Sequence, residues 1–224
     1  MKYDWIFFDA DDTLFHFDGF KGLQLMFSRK GVDFTEQDFA EYQLVNKPLW
    51  KEYQNRAITA EQLKEMRFNK WAEKLNVKPM ELNTDYMHAM AEIATLLPGA
   101  QELMDALVDK AQVGIITNGF TDLQAVRLAK TGMGKYIKRM IVSEEVGTPK
   151  PDPIIFNYAL EQVGNPCKSR VLMVGDTLHS DVLGGINAGI DTCWLNPKGE
   201  EATDGIEPKY NVRSLSELQA ILEA

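Results

Sequence analysis

The chain has 224 residues and a formal net charge of −9, with 45% hydrophobic and 25% charged residues. This composition supports a buried core and excludes a disordered or collagen-like chain, and the length predicts one large domain or one domain with an insertion. Acidic residues outnumber basic ones by 33 to 24, so we expect no nucleic-acid partner, because no basic surplus remains to neutralise a phosphate backbone.

The first predicted element is a β-strand over Tyr3–Phe8, an apolar run rich in aromatic residues. Asp4 and Asp9 fall where a signal peptide would need an apolar core, and no later stretch approaches the roughly 18 apolar residues of a membrane span. Two cysteines, Cys167 and Cys193, are too few for a disulfide framework. We therefore expect a cytoplasmic protein without a membrane partner.

The strand pattern then disappears, and residues 17–95 show repeated helix signals instead. Thr35 and Thr59 are each followed three residues later by a side chain that suits a capping box. Pro48 is expected to end or kink the first of these helices near Lys47, because proline cannot donate the helical hydrogen bond. The pattern predicts a helical domain inserted after the first strand.

Short apolar runs return in the second half of the chain and alternate with amphipathic helix patterns. The predicted strands are Val113–Ile116, Met140–Val142, Val171–Val174 and Thr192–Leu195. Such alternation implies right-handed crossovers and a parallel sheet covered by helices on both faces. We predict an α/β fold in which residues 1–16 and 96–224 form a Rossmann-like core and residues 17–95 form a helical cap. Asn196–Tyr210 is expected to be an exposed loop, and Ser214 should open a last helix.

Three carboxylates follow the first predicted strand within four positions: Asp9, Asp11 and Asp12. Open parallel sheets place their sites just beyond the carboxyl ends of the strands. One aspartate there is ordinary turn chemistry, but two carboxylates about 4 Å apart repel by roughly 4 kcal/mol at an effective dielectric constant of 20. The cluster therefore requires a cation or a shared proton.

A second acidic segment ends the predicted strand Val171–Val174. Gly175 allows a tight exit from the strand, Asp176 stands at its end, and Asp181 falls near the start of the next helix. Mg²⁺ prefers hard carboxylate oxygens, whereas a zinc site would require histidine or thiolate ligands. The two acidic segments together predict a magnesium site.

Two further segments could hold an anion. Thr117, Asn118 and Gly119 end a predicted strand, where backbone N–H groups can point at a phosphate. Lys150 lies between two prolines that restrict the backbone, which suggests a placed cation. An ordinary strand-to-helix turn and a solvated surface lysine are the alternatives for these residues.

The four segments, in this order and spacing, resemble the haloacid dehalogenase superfamily of phosphatases. The residues that carry the resemblance are Asp9-x-Asp11-x-Thr13, Thr117, Lys150, and Gly175-Asp176 with Asp181. The resemblance extends over the whole chain, and the inserted helical segment matches the family's type-one cap position. It implies an enzyme that hydrolyses small phosphomonoesters with Mg²⁺ as cofactor.

The resemblance also implies a role for each acidic residue. Asp9 would attack phosphorus and form an aspartyl-phosphate, since an ordinary aspartate is already ionised at neutral pH. Asp11 would protonate the leaving oxygen and then accept a proton from the attacking water. Asp9, Asp176 and the backbone carbonyl of Asp11 would hold Mg²⁺. Asp181 would complete this metal site by ordering its water ligands or Lys150.

Substrate binding would fall to the other motif residues. Thr117, Asn118 and Lys150 would hold the phosphoryl oxygens, and the charge of Lys150 would also contribute to catalysis. The strand-end segments are similar to those of bacterial pyrimidine 5′-nucleotidases, which implies hydrolysis of nucleoside 5′-monophosphates such as dUMP, dTMP and UMP. We hypothesise that one or two aromatic residues of the cap stack on the base, with Trp50 and Phe20 as the leading candidates, although most aromatic residues there should pack its core. We expect a monomer or a weak homo-oligomer.

Four alternatives can be weighed at this stage, and one of them, an inactive protein that retains the fold, has no missing catalytic residue to support it. A phosphatase for another small metabolite, such as a sugar phosphate, would share every motif. A 2-haloacid dehalogenase shares the fold and the nucleophile, but it expels halide, which needs no proton from Asp11. A phospho-accepting signalling module also combines acidic residues with threonine and lysine, but it is about half this length and has no helical lid.

Overall fold

The structure is a computed structural model that describes all 224 residues. Its contacts divide the chain into two compact units. The α/β unit comprises Met1–His16, Thr95–Gly119 and Thr131–Ala224, and the helical unit comprises Phe17–Ala94 and Phe120–Lys130. None of the helices combines the length and the apolar character needed to cross a membrane.

A six-stranded parallel sheet forms the centre of the α/β unit. Its strands are β1 (Trp5–Phe8), β4 (Gln112–Thr117), β5 (Ile137–Val142), β6 (Val171–Gly175), β7 (Asp191–Leu195) and β8 (Tyr210–Val212). They lie in the order β5-β4-β1-β6-β7-β8. Two short strands, β2 (Phe15–His16) and β3 (Thr95–Leu96), form a separate antiparallel pair. The predicted α/β fold with a parallel sheet is confirmed.

Helices of the α/β unit follow most of the strands. They are α6 (Ala100–Leu107), α8 (Ser143–Val146), α9 (Pro153–Gln162), α10 (Leu183–Ala188) and α11 (Leu215–Glu223). Ser214 caps α11 by accepting a hydrogen bond from the Glu217 N–H, as the sequence predicted. Residues of β1, β4 and β6 are almost all buried, which explains why these strands are apolar at consecutive positions.

The edge strand β8 was not predicted. Tyr210, which we assigned to the end of a loop, is its first residue, and Ile206 within the predicted exposed loop is buried. Three residues with one fully buried side chain, Val212, leave almost no periodic signal in the sequence.

The helical unit contains α1 (Gly19–Ser28), α2 (Glu36–Gln54), α3 (Ala60–Met66), α4 (Asn69–Leu75), α5 (Pro79–Ile93) and α7 (Thr121–Thr131). Both predicted capping boxes are present, at Thr35 and Thr59. An aromatic cluster fills its core, where the rings of Phe27 and Trp71 lie 4.4 Å apart between centroids. The predicted cap was residues 17–95. The contacts also group 120–130 with the helices, because Phe120 and Leu123 share the same apolar cluster.

Of the two outcomes predicted for Pro48, an end or a kink of the helix near Lys47, the structure contradicts the first. Helix α2 continues through Pro48 to Gln54. Proline removes the hydrogen bond to the carbonyl of Leu44, but Leu44 is 77% exposed, so water can take the place of the missing donor. The buried side chains of Leu49 and Tyr53 stabilise the turn that follows.

Candidate active site

The carboxyl ends of β1, β4 and β6 meet at one edge of the sheet. Phe8, the last residue of β1, pairs with Ile115 of β4 on one side and with Val174 of β6 on the other. Asp9 and Asp176 follow the ends of two of these strands directly, which places their side chains close together. The same topology explains how residues more than 160 positions apart in sequence form one site.

Asp9, Asp176 and Asp181 form an acidic triad. Each offers one carboxylate oxygen, and these three atoms lie within 4.8 Å of one another. The donors are all hard oxygens, with neither histidine nor thiolate among them, which fits Mg²⁺ and does not fit zinc. The donor atoms of the triad therefore fit a magnesium site.

Lys150 lies between two members of the triad. Its Nζ donates to Asp9 Oδ1 at 2.6 Å, to Asp181 Oδ1 at 2.7 Å and to the Ile116 carbonyl at 2.7 Å. The residue is 1% exposed, so all three ammonium protons have partners in a buried setting. The alternative of a solvated surface lysine is wrong.

Burial and mutual repulsion alter the acidity of this cluster. Burial raises the pKa of Asp9 to about 7; Lys150 opposes this rise, and the charges of Asp181 and Asp11 add to it. Burial, with the charges of Asp181 and Asp9, raises the pKa of Asp176 to about 8. Burial disfavours the charged form of Lys150, but the two neighbouring carboxylates outweigh it and raise the pKa of Lys150 above its ordinary value. The site therefore has more negative charge than Lys150 alone neutralises, which favours a divalent cation.

Asp11 lies in the same loop as Asp9 but its carboxylate is not part of the triad. It is half-buried, and its charge contributes to the raised pKa of Asp9. These features suit a proton carrier at the edge of the site better than a carboxylate ligand.

Thr117 and Asn118 extend the site beyond β4. Thr117 is 1% exposed, and its Oγ1 accepts a hydrogen bond from the Gly119 N–H at 2.9 Å. The Asn118 side chain bonds the backbone of Lys150 through both its oxygen and its nitrogen. Because this amide is already used, the group of Asn118 suited to binding a phosphate is its backbone N–H.

Two residues that support Asp176 had no assigned role in the sequence analysis. Thr13 Oγ1 accepts from the Asp176 N–H at 3.1 Å and donates to Asp176 Oδ1 at 3.3 Å. Trp194 Nε1 donates to the Asp176 carbonyl at 2.8 Å. The position of Thr13 in the first motif was a usable signal, whereas Trp194 sits in an apolar run that predicts only a strand.

The turn after β6 depends on a glycine. A Cβ atom on Gly175 would lie 2.2 Å from a carboxylate oxygen of Asp181, a distance that no real contact allows. The other anchor of this turn is the Thr177 N–H, which donates to Asp181 Oδ2 at 3.0 Å. Gly175 is therefore required for Asp181 to approach the triad.

The two aromatic residues proposed to stack on a base belong to the helical unit. Trp50 stacks on Phe120 with ring centroids 5.2 Å apart, and Phe20 packs on Phe39 at 5.3 Å. Both are partly buried. Base stacking by either residue stays a prediction.

A comparison with known proteins gives concordant matches. A family model described as haloacid dehalogenase-like hydrolase matches residues 3–189. The chain is 59% identical over 222 residues to pyrimidine 5′-nucleotidase YjjG of Escherichia coli (strain K12), with 99% of each chain covered. It is 32% identical over 228 residues to pyrimidine 5′-nucleotidase PynA of Streptococcus pneumoniae, covering 100% of this chain and 96% of the relative. The crystal structure of the HAD-hydrolase YfnB from Bacillus subtilis bound to magnesium superposes with a TM-score of 0.87 at 31% identity and covers 99% of both chains.

Proposed function

The chain belongs to the haloacid dehalogenase-like hydrolases, and we propose that within this family it is a magnesium-dependent phosphomonoesterase acting on pyrimidine nucleoside 5′-monophosphates such as dUMP, dTMP and UMP. The observation that carries the phosphatase assignment is the buried contact of Asp9 with Lys150, 2.6 Å apart, beside Asp176 and Asp181. The 59% identity to a pyrimidine 5′-nucleotidase over 99% of both chains supports the substrate class.

Asp9 is the nucleophile in this proposal. Lys150 opposes the rise in the pKa of Asp9 that burial causes and so favours the ionised carboxylate, and an anion needs no separate base to activate it. A carboxylate oxygen of Asp9 forms a bond to phosphorus while the bond between phosphorus and the 5′-oxygen of the ribose breaks. The product of this step is an aspartyl-phosphate and a nucleoside.

Asp11 carries the proton in both steps. It donates its proton to the leaving 5′-oxygen, and it then takes a proton from the water that attacks the aspartyl-phosphate. The second step releases inorganic phosphate and returns Asp9 to its free carboxylate. Asp9 and Asp11 lie in one loop, so the acid is next to the nucleophile and no second strand or helix is needed to position it.

Asp9, Asp176 and Asp181, with the backbone carbonyl of Asp11, are the groups that would hold Mg²⁺. When bound, the ion neutralises negative charge on the phosphoryl group and on the carboxylates around it. Thr117 and the backbone N–H of Asn118 would bind the phosphoryl oxygens, where charge is spread in the transition state. Lys150 would balance the charge of Asp9 and Asp181 and could exchange one of its three partners for a phosphoryl oxygen.

The experiment that tests this function is a phosphate-release screen over nucleoside monophosphates and sugar phosphates with Mg²⁺. We expect the pyrimidine 5′-monophosphates to give the highest kcat/KM and excess EDTA to abolish turnover. Asp9→Asn should lower kcat by more than about 10³-fold, since it removes the nucleophile. Preference for a sugar phosphate or a purine nucleotide would overturn the substrate class only, whereas halide release from a 2-haloacid without phosphatase activity would overturn the reaction.

A further inference from the structure

Trp194 connects the acidic triad to the neighbouring strand β7. It pairs with Gly175 of β6 in the sheet register, and its indole N–H donates to the backbone carbonyl of Asp176 at 2.8 Å. The residue is 4% exposed, and an indole N–H can only donate, so this carbonyl is its partner in a buried setting. The bond restrains the peptide that follows the Asp176 side chain.

The ring of Trp194 also packs on the turn that carries Asp181. Leu178 and Val182 stand at the two ends of that turn and share an apolar cluster with Trp194 and Ile206. Trp194 therefore makes two separable contacts beside the site, a hydrogen bond to the Asp176 carbonyl and apolar packing against the turn that carries Asp181. Neither contact requires it to touch the reacting groups.

Thr13 and Trp194 restrain different atoms of Asp176. Thr13 bonds the N–H and the carboxylate, and the carbonyl is left to Trp194. With the Trp194 bond removed, the peptide between Asp176 and Thr177 can rotate, and its Thr177 N–H then moves relative to Asp181 Oδ2, to which it donates at 3.0 Å. Groups that orient a metal ligand in this way change metal affinity by about 10- to 100-fold when they are lost.

We propose that Trp194 is a positioning residue that sets the affinity of the acidic triad for Mg²⁺. The inference rests on the magnesium site of the proposed function, and it concerns the affinity for the ion alone. Because Trp194 acts through the peptide between Asp176 and Thr177 and touches no reacting group, loss of its N–H raises the Mg²⁺ concentration needed for activity and leaves kcat at saturating Mg²⁺ close to that of the wild type.

The test is calorimetric titration of Mg²⁺ into the metal-free protein without substrate. Trp194→Phe keeps an aromatic ring but removes the N–H donor, and we expect its Kd for Mg²⁺ to rise about tenfold. The Mg²⁺ concentration for half-maximal activity should rise by the same factor.

Two variants control for general loss of stability. Trp5→Phe makes the same substitution in β1, where the ring stacks on Phe7 at 5.6 Å, outside the site. Ile206→Ala loosens the apolar cluster around Trp194 but retains the indole donor. Both should bind Mg²⁺ with the wild-type Kd, and Ile206→Ala should have a lower Tm.

A wild-type Kd in Trp194→Phe would overturn the proposal, and so would an equal loss of affinity in Ile206→Ala, which would make packing the cause. Asp176→Asn distinguishes a failure of this proposal from a failure of the magnesium site, because wild-type affinity for Mg²⁺ in that variant would overturn the site itself.

If Trp194→Phe does not fold, the wild-type protein provides a second test. Of its four indole N–H resonances, that of Trp194 should shift on addition of Mg²⁺ while that of Trp5 does not, and an unmoved Trp194 resonance overturns the proposal.

Discussion

The side chain of Asn118 forms two hydrogen bonds with the backbone of Lys150. Its Oδ1 accepts from the Lys150 N–H at 2.8 Å, and its Nδ2 donates to the Lys150 carbonyl at 3.0 Å. The loop after β4 therefore holds the loop that carries the buried cation. This pairing fixes the backbone from which Lys150 reaches Asp9 and Asp181.

Asn118→Ala removes both bonds, and we expect kcat to fall about 10- to 100-fold because Lys150 loses its anchor. The measurement is kcat at saturating substrate and Mg²⁺. Lys150→Met supplies the control, since an effect that acts through Lys150 should largely disappear in the double variant. Full additivity of the two substitutions would show that Asn118 acts on its own.

Lys150→Met leaves two buried carboxylates without their cation. Breaking a buried ion pair in this way typically costs about 3–5 kcal/mol, so the free energy of unfolding should fall by a similar amount in metal-free protein. The pKa of Asp9 should rise further, because Lys150 is the group that lowers it, and the acid limb of the kcat/KM profile should move to higher pH. Chemical denaturation and a pH–rate profile measure the two effects.

Lys209→Met is the matched control for that substitution. Lys209 pairs with Asp191 at 2.7 Å, but its side chain is 38% exposed, and such surface pairs contribute only about 0–1 kcal/mol. A loss of stability as large as that of Lys150→Met would contradict the assignment of the cost to burial.

The sequence was sufficient to predict the parallel sheet and the convergence of its acidic strand ends. Consecutive apolar positions mark strands covered on both faces, and parallel strands bring their carboxyl ends to one edge, so Asp9 and Asp176 were expected at the same edge. That β1 and β6 are adjacent strands is seen only in the structure. The strand β8 and the continuation of α2 through Pro48 could not be predicted, because both depend on tertiary packing and solvent access and not on a local pattern.

The hydrogen bonds that hold the site residues in place could not be predicted from the sequence either. Asn118 and Lys150 are 32 residues apart, and Trp194 and Asp176 are 18 apart. Hydrogen bonds between a side chain and a distant backbone follow no periodicity, so only the assembled sheet reveals them. Their residue types, an amide in a turn and an indole in a strand, are each compatible with a purely structural role.

Gly175→Ala should displace Asp181 from the triad. The added Cβ would lie 2.2 Å from a carboxylate oxygen of Asp181, which is buried, so the side chain or the turn that carries it must shift. We expect loss of stability of about 1–3 kcal/mol from overpacking, together with a Kd for Mg²⁺ raised at least tenfold. Thermal unfolding and calorimetric titration measure these two effects.

Gly114→Ala is the control that distinguishes an effect on the metal site from an effect on the core of the sheet. There a Cβ would meet the ring of Phe7 at 2.6 Å, inside the sheet and outside the triad. Its Tm should fall while its affinity for Mg²⁺ stays that of the wild type. Equal losses of Mg²⁺ affinity in the two variants would mean that the ion responds to the stability of the sheet and not to Asp181.

The metal-free protein should lose stability as the pH rises from 6 to 8.5. Asp9 and Asp176 have pKa values of about 7 and about 8 in the folded protein, against about 3.9 for an aspartate in the unfolded chain. Between these limits the folded state binds more protons than the unfolded state, so the free energy of unfolding falls with pH by about 1.4 kcal/mol per pH unit for each such group. Thermal unfolding in EDTA should therefore give a Tm lower by several degrees at pH 8.5 than at pH 6.

Excess Mg²⁺ should reverse this decrease of Tm with pH, because it binds the ionised carboxylates. Asp176→Asn should make the decrease smaller by removing one of the two titrating groups. A Tm in EDTA that is constant or rises over this pH range would contradict the raised pKa values, and with them the charge imbalance that favours a divalent cation.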